Sequence, residues 1–488
     1  MSMVVGRGIM DTLNHKRLSL YVISLMLILL PPLMSCGTRQ STLTPVLPKP
    51  TFVHEINTEG DLEDAVAYYT QGLGCHSIGE YEKALADFAK AIELNPDYAD
   101  AYNGRGIVYD TIGEHEKAME NYTKAIELNS KFTEAYHNRG LAHSSMGEYE
   151  KALADFAKAI ELNPQFPGAY YNRGIVRYSM GEYEKALANF AKAIELNPQY
   201  VDVYIHRGIT YYNSGEYDRA VKDYTEAIEL NPDDAIAYYN RGLTYSSMGE
   251  YEKALHDHTK AIELNPEDAG FYNGRGIVYD IMGEHEKAVE DYTKAIAFNP
   301  EDPSVFCRRG IVYDTMGEHE KAVEDYTRAI ELNPKFTEAY HNRGFAHSNM
   351  GKYEKALADF AKAIELTPKD ADAYHDRGVV HDSMDEYEKA VEDYTKAIEL
   401  NPDDAIAYYD RGLAYSSMGE YGKALADFTK TIELNPEDAG NYYVRGLTHI
   451  ALRQKEEAIR DLHRVLELTD DSELQQAAEQ QLRRLREE

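Results

Sequence analysis

One sequence period constrains the fold of this chain more than any other feature. The peptide Glu-Leu-Asn-Pro, or a close variant of it, recurs every 34 residues from Pro96 to Pro436, and only Ser130 replaces the proline in that series. The period holds for twelve repeats without an insertion or a deletion. Such a period is typical of a solenoid, in which each repeat packs against its neighbours. The sequence therefore predicts one continuous array instead of several globular domains.

The array occupies residues 65–472 when the recurring proline is numbered as position 32. The repeats are 65–98, 99–132, 133–166, 167–200, 201–234, 235–268, 269–302, 303–336, 337–370, 371–404, 405–438 and 439–472. Residues 1–64 precede the array and 473–488 follow it. We expect the last segment to be a capping helix that covers the apolar edge of the final repeat, and Ser472 with Gln475 matches a capping box.

Each repeat has the pattern of two helices. Helix A is predicted over positions 2–14 and ends at a glycine at position 15, such as Gly113, because glycine adopts the positive φ common at a helix C′ position. Helix B is predicted to stop at the asparagine before the recurring proline, which disfavours helical backbone in the preceding residue. Position 4 is tyrosine in eleven repeats and Phe306 in one, and this column explains much of the excess of 40 tyrosines.

The recurring positions resemble the signature of the tetratricopeptide repeat (TPR) family. In repeat 235–268 the matching residues are Tyr238, Gly242, Tyr245, Gly249, Ala254, Ala261 and Pro266. His258 departs from the pattern, because it stands at position 24, where the family has an aromatic residue. The resemblance implies an all-α fold, a right-handed α-solenoid of about twelve helix pairs. It also implies that an inner groove binds segments of partner proteins.

One face of helix A holds the candidate binding residues. Positions 2, 5, 6, 9, 12 and 13 share this face at about 100° per residue, and in the TPR family it lines the groove. The candidates are Tyr69, Asn103, Asp110, His137, Asn138, Tyr171, Asn172, Tyr239, Asn240, Asn273, Asp280, Asp314, His341, Asn342, His375, Asp376, Asp382, Tyr409 and Asp410. Such side chains can hydrogen-bond an extended backbone and attract cationic groups. Positions 2 and 5 contain no lysine or arginine, which argues against partners with acidic C-terminal tails.

Two further columns carry charge. Arginine occupies position 7 from Arg105 to Arg445, and position 23 is aspartate in ten repeats and asparagine in two. The arginines could form a ladder for phosphate or another polyanion. A partly buried Arg–Asp pair between the two helices explains both columns without a ligand, and this structural interpretation is the one that we favour.

The sequence contains little that indicates catalysis. It has no Gly-rich phosphate loop, no nucleophile elbow and no His-Glu-x-x-His motif. The best cluster for a metal or a hydrolase is His375 with Asp382, together with Asp376 and the neighbouring His341. Because the residues outside the array are too few for an enzyme domain, we expect no cofactor, no metal and no enzymatic activity.

The charge balance limits the classes of partner. The chain carries 84 acidic and 51 basic side chains, a net charge of −33. Nucleic acid and anionic lipid surfaces both require clustered Lys and Arg, so neither is an expected partner. The three cysteines exclude a disulfide scaffold, and Cys75 and Cys307 lie too many repeats apart to be bridged. We expect protein partners that present extended or helical segments, including basic ones, and the sequence leaves homo-oligomerisation open.

The first 35 residues resemble the signal peptide of a bacterial lipoprotein. A basic stretch ending at Arg17 precedes an apolar run from Leu18 to Leu30, which is too short to span a membrane comfortably. The peptide Leu-Met-Ser-Cys ending at Cys36 is similar to a lipobox. The resemblance implies cleavage before Cys36, acylation of its thiol, and a flexible tether over 36–64. Either Met1 or Met10 is the start.

These features together predict a non-catalytic scaffold for protein–protein interactions, anchored by lipid in the bacterial cell envelope. The outer membrane facing the periplasm is favoured because Gly37, not aspartate, follows the cysteine. A secreted protein and an inner-membrane anchor are the alternatives for location. A glycan-associated envelope factor that stacks sugars on groove tyrosines, or a hydrolase at the His375 cluster, are the alternatives for function.

Overall fold

The computed structural model describes residues 59–487. The predicted signal peptide, Cys36 and most of the tether lie outside this range. None of the helices within 59–487 is both long enough and apolar enough to cross a membrane.

The described residues form 25 α-helices and no strand, which confirms the all-α solenoid. They divide into two compact units. The N-terminal unit, which ends at Met282, contains α1 Glu59–Ser77, α2 Tyr81–Leu94, α3 Ala99–Thr111, α4 His115–Leu128, α5 Thr133–Ser145, α6 Tyr149–Leu162, α7 Pro167–Ser179, α8 Tyr183–Leu196, α9 Val201–Asn213, α10 Tyr217–Leu230, α11 Ala235–Ser247, α12 Tyr251–Leu264 and α13 Ala269–Ile281. The C-terminal unit, which begins at Gly283, contains α14 His285–Phe298, α15 Pro303–Thr315, α16 His319–Leu332, α17 Thr337–Asn349, α18 Tyr353–Leu366, α19 Ala371–Ser383, α20 Tyr387–Leu400, α21 Ala405–Ser417, α22 Tyr421–Leu434, α23 Ala439–Ala451, α24 Lys455–Leu468 and α25 Ser472–Glu487.

The turn between helices A and B depends on the residue at position 15. In ten repeats this residue is a glycine whose φ lies between 68° and 81°. Asp385 and Arg453 hold the same position in two other repeats and adopt φ of 59° and 61°. Only the left-handed region allows the chain to reverse here, and a side chain raises the cost of that conformation. Helix A accordingly spans positions 1–13 in α3 and helix B spans positions 17–30 in α4.

Both ends of the array differ from the prediction. Helix α1 begins at Glu59, so residues 59–64 are helical and do not belong to the tether. Acidic residues in this first turn, such as Asp61, favour a helix N-terminus because they complement its positive partial charge. The capping helix α25 is present, but its first backbone N–H groups donate to the carboxylate of Asp471 and not, as the sequence predicted, to the side chain of Ser472. The side chain of Gln475 donates to the carbonyl of Thr469, so no capping box forms.

Within each unit, the core of a repeat lies between its own two helices. Within each unit, every helix packs against the next helix along the chain. Alanines at positions 20 and 27 and the ring at position 24 are fully buried, as in Ala84, Ala91 and Phe88. Glycine at position 8 admits that ring, since a Cβ on Gly174 would lie 2.5 Å from Phe190. The glycine at position 8 therefore allows helices A and B to approach each other closely at the position-24 side chain.

Two repeats have neither Phe nor Tyr at position 24: Leu462 stands there in repeat 439–472, and His258 in repeat 235–268. His258 replaces the aromatic residue at position 24 and is completely buried beside Tyr239, with ring centroids 5.4 Å apart. Neither ring nitrogen of His258 has a hydrogen-bond partner among the described residues. Burial lowers the pKa of His258 from its ordinary 6.5 to about 3. The neutral imidazole thus carries two unsatisfied polar atoms in an apolar site.

We expect His258→Phe to stabilise repeat 235–268 by about 1–3 kcal/mol, because the change removes buried polar atoms and keeps an aromatic ring. Native-state hydrogen exchange of α12 measures the gain. The gain should increase as the pH falls below 6.5, since the unfolded wild-type histidine binds a proton that the folded one excludes. The matched control is Phe428→His at the same position of repeat 405–438, which should lose stability. Equal protection of α12 in both forms would contradict the argument.

Candidate functional site

The arginine at position 7 is held by three groups of the protein. In repeat 133–166, Nε and Nη2 of Arg139 donate to the two carboxylate oxygens of Asp155 at 2.9 and 2.7 Å. Nη1 donates to the hydroxyl of Thr123 in the preceding repeat, at 3.2 Å. The guanidinium also lies 5.7 Å from the ring centroid of Tyr136 at position 4. This arrangement uses the bidentate geometry and the flat face that arginine offers and lysine lacks.

The same pair recurs along the array and confirms the structural interpretation of the two charged columns. The bidentate Arg–Asp pairs are Arg139–Asp155, Arg207–Asp223, Arg241–Asp257, Arg309–Asp325, Arg343–Asp359, Arg377–Asp393, Arg411–Asp427 and Arg445–Asp461. Where position 23 is asparagine, Arg105 and Arg173 donate to Asn121 and Asn189. These guanidinium groups are engaged inside the repeats, so they do not form a ladder for polyanions.

Three tyrosines at position 5 were expected to line the groove, but their side chains lie in the core. The ring of Tyr171 contacts the position-24 ring of Phe190 and also Tyr200, with centroids 6.1 and 5.1 Å apart. Tyr69 and Tyr239 pack in the same way, and all three tyrosines are buried. A helical wheel places position 5 on the groove side, but aromatic rings from helix B and from the residues at the start of the following helix A cover these tyrosines. These tyrosines are therefore not available for stacking against a sugar ring.

The other candidates divide into two groups by exposure. The buried candidates are Tyr69, Asn103, His137, Asn138, Tyr171, Asn172, Tyr239, Asn240 and Asn273. The partly exposed candidates are Asp110, Asp280, Asp314, His341, Asn342, His375, Asp376, Asp382, Tyr409 and Asp410. Binding of a partner by this face stays a prediction, and the partly exposed group holds the side chains that can take part in it.

Positions 5 and 6 form hydrogen bonds that sequence analysis missed. Position 5 of one repeat contacts position 6 of the next, 35 residues later. In the N-terminal unit, Nδ2 of Asn138 donates to Oδ1 of Asn103 at 3.1 Å, and Nδ2 of Asn172 donates to Nε2 of His137 at 2.8 Å. These bonds join helices A of successive repeats directly. The sequence does contain a signal for these bonds, because polar residues at position 5 recur with polar residues at position 6 of the next repeat, 35 residues later. Only the packed structure shows that the two helices are close enough for the bonds to form.

The corresponding positions of the C-terminal unit carry charge. Nε2 of His341 lies 2.6 Å from Oδ2 of Asp376, and Nε2 of His375 lies 2.8 Å from Oδ2 of Asp410. Nδ1 of His375 lies 3.3 Å from the other carboxylate oxygen of Asp376. The four side chains thus form a continuous chain across α17, α19 and α21. Their exposed fractions are 13–17%, so these side chains are mostly buried and only partly accessible on the helix A face.

Electrostatics differ between these two sets of histidines. Burial lowers the pKa of His137 to about 4, and its partner Asn172 carries no charge that would oppose this effect. Burial also disfavours the charged form of His375, but hydrogen bonds and the charges of Asp376 and Asp410 outweigh this effect and raise its pKa well above 6.5. The pKa of His341 is raised by Asp376 against the same opposing burial. One position in the repeat therefore holds a neutral imidazole in one unit and an imidazolium in the other.

Apolar side chains lie beside the charged chain. Position 9 of the same helix face carries Phe345 and Val379, and Val379 is 37% exposed. The ring of Phe345 stacks on His341 with centroids 5.2 Å apart and an interplanar angle of 11°. This part of the C-terminal unit offers an apolar surface next to carboxylates, which suits a partner with both apolar and basic side chains.

The metal and hydrolase alternatives centred on His375 gain nothing from the geometry. Between residues 59 and 487 no group of three or more His, Cys, Asp or Glu side chains is arranged to hold a metal ion. The contacts of His375 go to Asp376 and Asp410, not to the Asp382 that the sequence placed with it. Asp110 and Asp314, also on position 12, are engaged by His115 and His319 of helix B.

Comparison with known proteins agrees with the repeat pattern. A model described as tetratricopeptide repeat matches residues 99–132, 133–166, 235–268, 269–302, 303–336, 337–370 and 405–438. A second model of that description matches 156–188 and 360–392, and one described as TPR repeat matches 72–113, 176–215, 210–249 and 383–419. Together the matches run without a gap from residue 72 to residue 438. No curated protein matches the chain.

Several solved structures are similar to the chain. YrrB, described as a TPR protein with an unusual peptide-binding site, is 35% identical over 38% of this chain and 96% of its own, with a TM-score of 0.34. A tetratricopeptide repeat protein from Parabacteroides merdae is 24% identical over 51% of this chain and 99% of its own, with a TM-score of 0.42. The protein pilF of Pseudomonas aeruginosa is 25% identical over 44% of this chain and 97% of its own, with a TM-score of 0.40.

The Arg–Asp pair allows a prediction with a natural control. We expect Asp427→Ala to destabilise repeat 405–438 by about 3 kcal/mol, because it leaves the guanidinium of Arg411 half-buried without its carboxylate. Asp427→Asn should cost only about 1 kcal/mol, because two repeats already pair arginine with asparagine. Hydrogen exchange of α21 and α22 measures both effects. Equal losses for the two variants would show that the pair is not what stabilises the repeat.

Proposed function

Because this chain belongs to the tetratricopeptide repeat family, we propose that it is a non-catalytic scaffold that binds partner proteins on the helix A face. The single observation that carries the proposal is the uninterrupted array, in which positions 7, 8, 23 and 24 form the internal frame of each repeat and leave the helix A face as the variable surface. A repeated surface of this kind suits an extended or multivalent partner, since several weak contacts add up along one chain.

The chemistry of the C-terminal unit favours a partner with basic side chains. Its helix A face carries Asp372, Asp376, Asp382 and Asp410 around the apolar position-9 residues, against Arg308 at position 6 and the imidazoles of His341 and His375 that pair with Asp376 and Asp410. Rim carboxylates of this kind increase the association rate of a cationic partner and disfavour an acidic one. Apolar side chains of the partner can bury Val379 and its neighbours. A basic segment with interspersed apolar residues meets both conditions.

We further propose that the protein is a lipoprotein of the bacterial cell envelope, anchored through Cys36 with its array in the periplasm. The proposal rests on the sequence of the leader: a basic start, a short apolar run and the lipobox-like Leu33-Met34-Ser35-Cys36. A single lipidated cysteine and a tether would hold the array at a membrane surface without a spanning helix. In this setting the scaffold would recruit or assemble a complex at the envelope.

Partner binding is tested with Val379→Arg, which adds a positive charge at a partly exposed position of the proposed surface. The purified full chain is probed with synthetic peptides of equal hydropathy that range from acidic to basic. We expect wild type to retain the basic peptides preferentially and Val379→Arg to weaken their binding by about tenfold, roughly 1.4 kcal/mol.

The matched control for this variant is Ile112→Arg. Ile112 is a similarly exposed apolar residue, 43% accessible, but it lies in the turn after helix A of repeat 99–132. It should leave peptide binding unchanged. A preference for acidic peptides, or equal losses for the two variants, would contradict the proposed surface.

The anchor is tested by metabolic labelling with a fatty-acid analogue in bacteria that express the full chain. We expect label on wild type and none on Cys36→Ala, because acylation requires this thiol. Cys75→Ala is the control, since Cys75 lies in α1 of the folded array, and it should keep the label. Label that persists on Cys36→Ala would refute the anchor but leave the scaffold proposal unaffected.

A further inference from the structure

The most unusual polar group of the molecule is the chain of side chains that includes His375. This imidazole contacts a carboxylate with each of its nitrogens: Nδ1 lies 3.3 Å from Asp376 and Nε2 lies 2.8 Å from Asp410. A carboxylate only accepts hydrogen bonds, so each contact requires an N–H on the imidazole. A neutral imidazole has one N–H, and only the protonated form has two. Both contacts therefore exist together only while His375 is protonated.

The two contacts connect different parts of the C-terminal unit. Asp410 lies on α21 in the next repeat, whereas Asp376 lies on α19 beside His375 and also binds His341 of α17. Helices A of three successive repeats are thereby joined by one network, in which His375 lies between the carboxylates of Asp376 and Asp410. The direct packing between these helices is otherwise slight, because each helix A packs mainly against the helices B on its two sides.

We propose that His375, with Asp376 and Asp410, is a proton-dependent latch that fastens helices A of repeats 337–370, 371–404 and 405–438 to one another and loosens when the proton is lost. When the proton leaves, His375 keeps one N–H for one carboxylate, its other nitrogen presents a lone pair to the second, and no positive charge remains between Asp376 and Asp410. The negative charges of these two carboxylates then repel each other across α19 and α21. The latch is a property of the folded array and does not depend on the identity of a partner.

Among the described residues, none of the other charged groups around the latch places a positive charge between Asp376 and Asp410 once His375 has lost its proton. On α20, which packs against α19, Tyr394 lies with its ring 5.5 Å from His375, and Asp393 is held by Arg377. On α18, Asp359 is held by Arg343 and His347.

The remaining charges near His341 are mostly acidic. Glu338 on α17 acts electrostatically with His341 and with Arg308 of α15. Asp370, in the turn before α19, and Asp372 on α19 add negative charge near His341. The surroundings therefore favour the imidazolium, and its loss leaves an excess of carboxylates.

The N-terminal unit provides the same contact without the charge. There His137 accepts a hydrogen bond from the amide of Asn172, an arrangement in which the imidazole is neutral. The pKa of His375 is raised in the folded chain, so its stabilising contribution is complete below 6.5 and is lost as the pH rises through the folded value. The pKa of His137 is lowered, so its contribution is present above 6.5 and is lost as the pH falls toward about 4. The two contacts respond to pH in opposite directions.

The test is hydrogen exchange of the full chain, resolved by mass spectrometry, at pH values on both sides of 6.5 and normalised to the unfolded chain at each pH. In wild type we expect protection of α19 and α21 to fall about tenfold or more as the pH rises, the change that one pKa unit produces. Protection of α5 and α7 should not fall over the same range. Constant protection of α19 and α21 would overturn the latch.

Two reciprocal substitutions assign the effect to the latch. Asp410→Asn gives His375 the amide partner that His137 already has, so the fold should persist and the pH-dependent loss in α21 should disappear. Asn172→Asp gives His137 a carboxylate, and α5 and α7 should acquire a loss of protection at high pH. Unchanged pH profiles in both variants would overturn the proposal. If Asp410→Asn lost its helicity, Asn172→Asp would decide alone: a loss of protection at high pH would support the proposal, and an unchanged pH profile would overturn it.

Discussion

The contact on which every repeat depends is the close approach of helices A and B at the glycine of position 8. A Cβ there would lie within 3 Å of the position-24 ring in most repeats, as at Gly140 and Gly174, so the ring and the glycine fix the spacing of the two helices. The residues next to them in sequence, at positions 7 and 23, are then opposite each other. The Arg–Asp pair at positions 7 and 23 is thus a consequence of the same contact, since each of its residues precedes one member of the apolar pair at positions 8 and 24.

This arrangement changes the meaning of the composition. A large part of the positive charge is confined to pairs within repeats, at positions 7 and 23 and in the Lys–Glu pairs three residues apart on helix B, such as Lys158 with Glu161. The excess of carboxylates lies outside these pairs. Many of the tyrosines also serve the frame, since position 4 supplies the ring that lies against the arginine. Neither the net charge nor the tyrosine content by itself indicates a binding function.

Repeat-level features could be predicted from the sequence because each was present about twelve times. The helix pairs, the glycine turn and the Arg–Asp pair all follow from columns that recur. Features that occur only once could not be predicted in this way. Examples are the start of α1 at Glu59 and the capping of α25 by Asp471. The burial of position 5 was also missed, because a helical wheel gives the direction of Tyr171 but not the distance to Phe190 and Tyr200. That distance depends on how neighbouring repeats pack.

The bonds between positions 5 and 6 show how an invariant frame supports different chemistry. The backbone places these two positions together in successive repeats, so the side chains there can be exchanged without moving a helix. Asn103 with Asn138 gives a neutral pair, His137 with Asn172 requires an unprotonated imidazole, and His375 with Asp410 favours a protonated one. A single substitution at position 6 therefore changes both the charge of the helix A face and its response to pH. The repeat frame provides stability, and this pair of positions determines how individual repeats differ in charge.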